Sequence, residues 1–207
     1  MAVLTKDELL LPLAESRTNE VVVTCMGVTR PWGRISNHDL DFASADSAMG
    51  HTADLALGIA LAQPQRRVLC LNGDGSMLMT LGTLVTIVES GAKNLVLFVL
   101  ENGAYEITGN QPIPGAGDVD FPGLAQAAGF PRVYDLSQAR DFKSVLPAIL
   151  SKEGPIFVGV QMERGSEGPI SRSAKEEARY LKSSLADWSR EFRTAIMGSG
   201  LNPTEES

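Results

Sequence analysis

An aspartate stands between two glycines at Gly73-Asp74-Gly75, directly after the apolar run RRVLCLN (66–72) and directly before Ser76. In an open α/β sheet, ligands bind beyond the carboxyl ends of the strands. Gly73 and Gly75 allow tight turns and close approach of a bulky group. Ser76 and the N-terminus of the helix that should follow offer free N–H groups, a seat for phosphate. A lone carboxylate would repel that phosphate. With a divalent cation between them the arrangement becomes attractive, and Mg²⁺ takes hard oxygen ligands in octahedral geometry.

A second residue makes the first more specific. Asn102 closes the run NLVLFVLEN (94–102), one helix and one strand after Asp74. That is the content of one parallel crossover. If the two strands are neighbours, their carboxyl ends lie about 5 Å apart. Asp74 and Asn102 could then share one ion, with a carbonyl just past Asn102 as a third ligand. Either piece alone reads as an ordinary turn; both at the ends of consecutive strands read as a site. Nucleotide motifs fit worse. The dinucleotide fingerprint needs glycine where this chain has Leu78, and no Gly-Lys-Ser/Thr is present for a P-loop.

The elements that must position these residues are visible as alternating runs. Apolar, β-rich stretches at 20–26, 66–72, 94–102, 132–136 and 155–162 read as strands. They are nearly continuous in apolar residues, which suits a parallel sheet covered on both faces. Helical patterns fall at 6–16, 50–63, 76–90, 121–128 and 140–151. This order predicts an α/β fold, a doubly wound, mostly parallel sheet over 1–165. The stretch 102–121 is a long Gly- and Pro-rich connection, a length usually associated with function or mobility. Residues 166–207 read as a polar linker and a charged amphipathic helix over 173–197, with Tyr180, Leu181, Leu185, Trp188, Phe192 and Ile196 at helical spacing.

Composition narrows the partners. The chain has 207 residues, 43% hydrophobic and 21% charged, with a formal charge of −7. That charge argues against nucleic acid or an anionic membrane surface. No run of about 18 apolar residues predicts a membrane helix. The start, MAVLTKDELLLPLAES, has acids inside its apolar stretch and makes a poor signal peptide. Cys25 and Cys70 lie in apolar runs without metal-type spacing, as buried thiols of a cytoplasmic protein would.

The segment NGDGSMLMTLGTLVTIVESGAKNLVLFVLENGAYE (72–106) closely resembles the thiamine-diphosphate motif. The resemblance implies that Asp74, Asn102 and the Ala104 carbonyl hold Mg²⁺ on the cofactor's diphosphate. Gly73, Gly75, Ser76 and Tyr105 would lie beside the cofactor. Upstream, SADSAMGHTADLALGIALAQP (44–64) is similar to the Gly-Ser-Met-Gly-His segment of the same superfamily. Met49 would prop the cofactor into its bent shape, and the Ser47 carbonyl would accept from its pyrimidine amine. His51 reads as a local contact at a helix start rather than a catalytic group. His38 lies in a polar loop near the expected cofactor edge, with no role assigned.

The family's activating glutamate belongs to a separate pyrimidine-binding domain, for which this chain has no room. The resemblance therefore implies a partner α-type subunit, a hetero-oligomer and a small 2-oxoacid substrate. Two isolated cysteines exclude the iron–sulfur oxidoreductases that also split this way. NGAYEITGNQ (102–111), with Tyr105, Thr108, Gly109 and Gln111, resembles sulfopyruvate decarboxylase β subunits and phosphonopyruvate decarboxylases. The implied reaction converts a 2-oxoacid to an aldehyde and CO₂. A carboligase subunit of the acetolactate synthase type and a non-catalytic cofactor-binding regulatory subunit are the alternatives. Glu101, where many relatives carry a second Asn, and Ser47, where many carry Gly, depart from the pattern.

Overall fold

A computed structural model of the chain describes residues 3–44 and 49–198. Ser47 lies outside the described residues. Six strands form one parallel sheet: β1 (Val21–Thr24), β2 (Asp41–Ala43), β3 (Val68–Gly73), β4 (Leu95–Glu101), then β7 (Arg132–Leu136) and β8 (Ile156–Gln161). A two-stranded hairpin, β5 (Ala104–Tyr105) with β6 (Gln111–Pro112), stands apart from it. The sheet order is β2-β1-β3-β4-β8-β7. β1, β3, β4 and β8 are buried almost end to end, as strands covered on both faces must be.

Helices α1 (Lys6–Ser16), α2 (Met26–Ile35), α3 (Thr52–Ala62), α4 (Asp74–Met79), α5 (Thr83–Glu89), α6 (Phe121–Ala128) and α7 (Ala139–Ser151) flank the sheet. The chain leaves β1 outward to β2, then returns to β3 on the other side. Crossovers of one hand running in opposite directions place their helices on opposite faces. Accordingly α1 packs on α2 and α7, while α5 packs on α3 and α6. The reversal at β1/β3 opens a crevice at the carboxyl ends of these strands, where ligands of such sheets bind.

Several elements differ from the sequence expectation. The helix expected over 76–90 is two helices. Thr80, at φ −140°, leaves helical geometry and donates its hydroxyl to the Gly50 carbonyl at 2.6 Å, and Gly82 follows. α2 and β2 were not expected. α2 contains two glycines and Pro31, weak helix formers held by burial of Val28, Pro31 and Trp32. The helix expected over 173–197 is confined to α8 (Leu185–Gly198). It begins where Ser184 accepts from the Asp187 N–H at 3.1 Å, a side-chain cap. The stretch before it is laid along α2 by Arg30–Glu176 (2.6 Å) and Arg34–Glu167 (2.8 Å) ion pairs. Tyr180 donates its hydroxyl to the Thr29 carbonyl. α8 then buries Trp188, Phe192 and Ile196, with Trp188 Nε1 donating to the Asp41 carbonyl at 3.0 Å, which covers the β2 edge of the sheet. Among the described residues no helix is long and apolar enough to cross a membrane.

Candidate cofactor and metal site

β3 and β4 are direct neighbours, with Gly73 paired to Leu100, so Asp74 and Asn102 leave adjacent strand ends. The two segments touch. Asp74 Oδ2 accepts from the Gly103 N–H and Oδ1 from the Gly75 N–H, both at 2.7 Å. Asn102 Oδ1 accepts from the Ala104 N–H at 3.0 Å. Asp74 is only 2% exposed. Burial pushes its carboxyl above the usual carboxylate range, and the Gly103 and Gly75 amides offset part of that. A desolvated anion of this kind favours a cation beside it.

The donor set fits a hard metal. Among the described residues no cluster of three His, Cys, Asp or Glu side chains could hold an ion. What converges instead is one carboxylate and one amide oxygen, with the buried Ala104 two residues past Asn102 in the same turn. Mg²⁺ accepts such a set because it fills its remaining positions with phosphate oxygens and water. The cradle for a phosphate is also present. Ser76 Oγ is buried with no hydrogen-bond partner, a polar atom that a phosphate oxygen would satisfy. A Cβ on Gly75 would come within 2.6–2.7 Å of the Tyr105 ring, so no larger residue fits there. Gly50, at φ +87°, could carry a side chain only under strain, and its Cβ would lie 2.8 Å from that of Met79.

These residues line an open cleft across the ends of β1, β3, β4 and β8. Met49 stands at its rim, 47% exposed, and Met79, also lining it, is 44% exposed. Gly73, Gly75, Ser76, Ala104 and Tyr105 all border the same cleft. Lys6, Cys25 and Glu106 also line the cleft, and the motif spacing gave none of them a role there. Their segments meet here only because the sheet brings them together. Burial raises the Cys25 thiol to about 11, so it stays protonated; both cysteines are free and buried.

The histidines lie elsewhere. His51 is outside the cleft lining, and its Nδ1 pairs with Asp54 Oδ2 at 2.6 Å, the local contact expected of it. Asp54 is itself tied to the Thr83 hydroxyl. His38 is not near the cofactor edge. It precedes β2, hence sits at the amino end of the sheet, where its Nδ1 accepts from the Leu40 N–H at 3.1 Å.

Glu101 gives the departure from the family pattern a physical consequence. Its Oε2 accepts from Gln161 Nε2 at 2.6 Å, whereas Oε1 is buried without a donor. Burial, then the negative charges of Asp135 and Asp74, raise its carboxyl from 4.5 to about 7. The folded protein therefore keeps a proton that the unfolded chain has released, and stability falls as pH rises from about 4.5 to about 7. Glu101→Gln is expected to remove this penalty. Thermal unfolding of the cofactor-free protein should show the variant more stable at pH 8, on the order of 1–2 kcal/mol after discounting for solvent access. Near pH 4.5 the two proteins should coincide. A difference independent of pH would refute the assignment.

Comparison with known proteins identifies the family of the chain. Residues 27–160 match the family described as thiamine pyrophosphate enzyme, C-terminal TPP binding domain. The chain is 33% identical over 185 residues to a phosphonopyruvate decarboxylase of Streptomyces viridochromogenes, covering 89% of this chain and 44% of that protein. It is 36% identical over 138 residues to the sulfopyruvate decarboxylase subunit beta of Methanothermobacter thermautotrophicus, covering 65% of this chain and 71% of that subunit. The chain thus spans less than half the length of the phosphonopyruvate decarboxylase and most of the beta subunit. Benzoylformate decarboxylase from Polynucleobacter necessarius superposes with a TM-score of 0.69 at 22% identity, over 80% of this chain and 34% of that one, a likeness of fold. The family match spans most of the chain and includes both strand ends that carry Asp74 and Asn102; the chain belongs to the thiamine pyrophosphate enzymes, as their C-terminal, TPP-binding domain.

Proposed function

We propose that this chain is the diphosphate-binding subunit of a thiamine-diphosphate-dependent 2-oxoacid decarboxylase. Its substrate class would be 2-oxoacids with a second anionic group, as the names of the phosphonopyruvate and sulfopyruvate decarboxylases suggest. The observation that carries the reading is the meeting of Asp74 and Asn102 at adjacent strand ends above a cleft with an orphaned Ser76 hydroxyl. In this reading Asp74, Asn102 and the Ala104 carbonyl hold Mg²⁺, and Gly75 and Ser76 receive the diphosphate. Met49 supports the cofactor from the rim.

When bound, thiamine diphosphate supplies the carbon nucleophile and the electron sink that loss of CO₂ from a 2-oxoacid requires. The chain's own part is anchoring and orientation. Among the described residues the cleft offers no free, enclosed acid for the pyrimidine. Glu106 lines the cleft but is 6% exposed and locked to Lys6 at 2.7 Å. Glu163 is exposed at the cleft's edge. In this reading the acid would come from a pyrimidine-binding domain on a partner subunit, and the cofactor would lie between the two.

The direct test is product analysis. The chain, purified with whatever subunit accompanies it, is supplied with Mg²⁺, thiamine diphosphate and a panel of sulfonated, phosphonated and simple 2-oxoacids. Aldehyde and CO₂ in equal amounts from an anionic substrate are the expected result. A carbon–carbon ligation product would instead establish a carboligase. Cofactor binding without turnover of any 2-oxoacid would point to a regulatory subunit.

A further inference from the structure

Lys6 and Glu106 form a buried ion pair a hundred residues apart in sequence, and its position beside Asn102 gives it a task. Resting on the reading of Asn102 as a metal ligand, we propose that the Lys6–Glu106 pair is a positioning device that fixes which way the Asn102 amide points. Lys6 Nζ donates to both carboxylate oxygens of Glu106, at 2.7 and 2.8 Å, and to the Gly27 carbonyl at 3.0 Å. Glu106 Oε1 accepts in addition from the Glu167 N–H at 2.8 Å, and Oε2 from Asn102 Nδ2 at 3.3 Å.

The two sides of the Asn102 amide are therefore read by opposite partners. On one side the Ala104 N–H demands an acceptor; on the other the Glu106 carboxylate demands a donor. Turning the amide over would set N–H against N–H and oxygen against carboxylate, so both contacts would become repulsive. Asn102 Oδ1 and Asp74 Oδ2 thus accept from the consecutive amides of Ala104 and Gly103, two oxygens gathered at one turn. A neutral acceptor would hold the amide less firmly, because hydrogen bonds to an ionised group are roughly twice as strong. Lys6 makes the ionised form tolerable. The Glu106 side chain is only 3% exposed, and a carboxylate so buried without a cation would be costly.

The pair is held from both ends. Lys6 opens α1 directly after the Thr5 cap, and Leu4 is pinned beside β8 by its N–H on the Gln161 carbonyl (3.1 Å) and its carbonyl on the Glu163 N–H (2.9 Å). Gly165 lies so close to Glu106 Oε1 that a side chain there would displace it.

A polarity exchange separates positioning from mere packing. The full chain, with any subunit that copurifies, is titrated calorimetrically with Mg²⁺ in the presence of excess thiamine diphosphate. Glu106→Ala is expected to weaken Mg²⁺ binding about 10- to 100-fold, the usual cost of losing a group that orients a metal ligand. Asn102→Asp should also weaken it, because its new carboxylate faces that of Glu106. Adding Glu106→Gln to Asn102→Asp restores one donor against one acceptor with side-chain volumes kept. It should recover at least about tenfold of the affinity lost by Asn102→Asp. Should Glu106→Ala fail to fold, this isosteric pair still decides the matter. Losses that simply add in the double variant, or an unchanged Mg²⁺ midpoint in Glu106→Ala, would overturn the positioning role while leaving the metal site standing. A wild-type protein that binds the cofactor without any Mg²⁺ dependence would overturn both.

Discussion

Asp74→Ala is expected to abolish Mg²⁺-dependent binding of thiamine diphosphate. In the proposed site this carboxylate is the charged ligand, since Glu106 is turned to the Asn102 amide nitrogen and to Lys6, so its removal would leave the metal with an amide, a carbonyl and the phosphates. Loss of a group that merely orients a ligand costs about 10- to 100-fold in metal affinity, and losing the charged ligand itself should exceed the upper end of that range. The buried carboxyl's raised affinity for protons adds a pH signature. Metal and proton compete for the same oxygens, so Mg²⁺ binding by the wild type should weaken on acidification as Asp74 is protonated. Alanine also strands the Gly75 and Gly103 N–H groups, each worth about 1–3 kcal/mol when left buried and unpaired. The variant must therefore be shown to be folded by circular dichroism before its calorimetry is read. A folded Asp74→Ala protein with unchanged cofactor affinity would show that the Gly-Asp-Gly turn is only a turn.

The part of this site that could be read from sequence was the part carried by short-range spacing. Asp74 and Asn102 sit at the ends of apolar runs whose continuity marks buried parallel strands, one helix-length segment separates them, and β3 and β4 do pair as a shared site requires. The break at Thr80 was hidden because its cause, the hydroxyl bond to the Gly50 carbonyl, reaches across thirty residues. β2 was hidden because it has three residues and begins with a charge. Asp41 is 1% exposed because the Trp32 indole (2.9 Å) and the Arg17 guanidinium (2.5 Å) both reach its Oδ1. A sequence pattern scores that residue as solvent-facing. Lys6 and Glu106 were illegible for the same reason. Each alone is a charged residue in a polar context, and only the fold converts them into a buried pair against Asn102. The C-terminal stripe was legible as apolar spacing, but Ser184 starts the helix late, and Tyr180 and Leu181 are buried by a separate single turn.

Freed of any companion protein, the chain is expected to remain folded yet to decarboxylate no 2-oxoacid, even with Mg²⁺ and thiamine diphosphate in excess. The sheet and its two helical layers form a continuous core within the described residues, which is the ground for expecting the chain to fold alone. Turnover is expected to need a partner. A positioned acid or base contributes typically 10²–10⁴-fold to rate, and among the described residues no carboxylate in this cleft is both unpaired and enclosed. Glu106 is bound to Lys6, Asn102 and the Glu167 amide, and Asp74 accepts from the Gly75 and Gly103 amides beside the proposed metal position. The cleft is also open on the side where Met49 and Met79 are exposed, and Leu61 and Val85 are exposed apolar residues of neighbouring helices α3 and α5. Apolar side chains left bare around a half-built pocket are the mark of a surface that associates. A subunit with a pyrimidine-binding domain should restore turnover and tighten cofactor binding together. A ligand held across an interface favours the assembled state over the separate chains, so affinity for partner and affinity for cofactor must rise by linked amounts. Turnover by this chain alone, with mass spectrometry excluding a companion, would defeat the two-subunit reading and shift the search for the acid to Glu163, an exposed carboxylate at the cleft's edge.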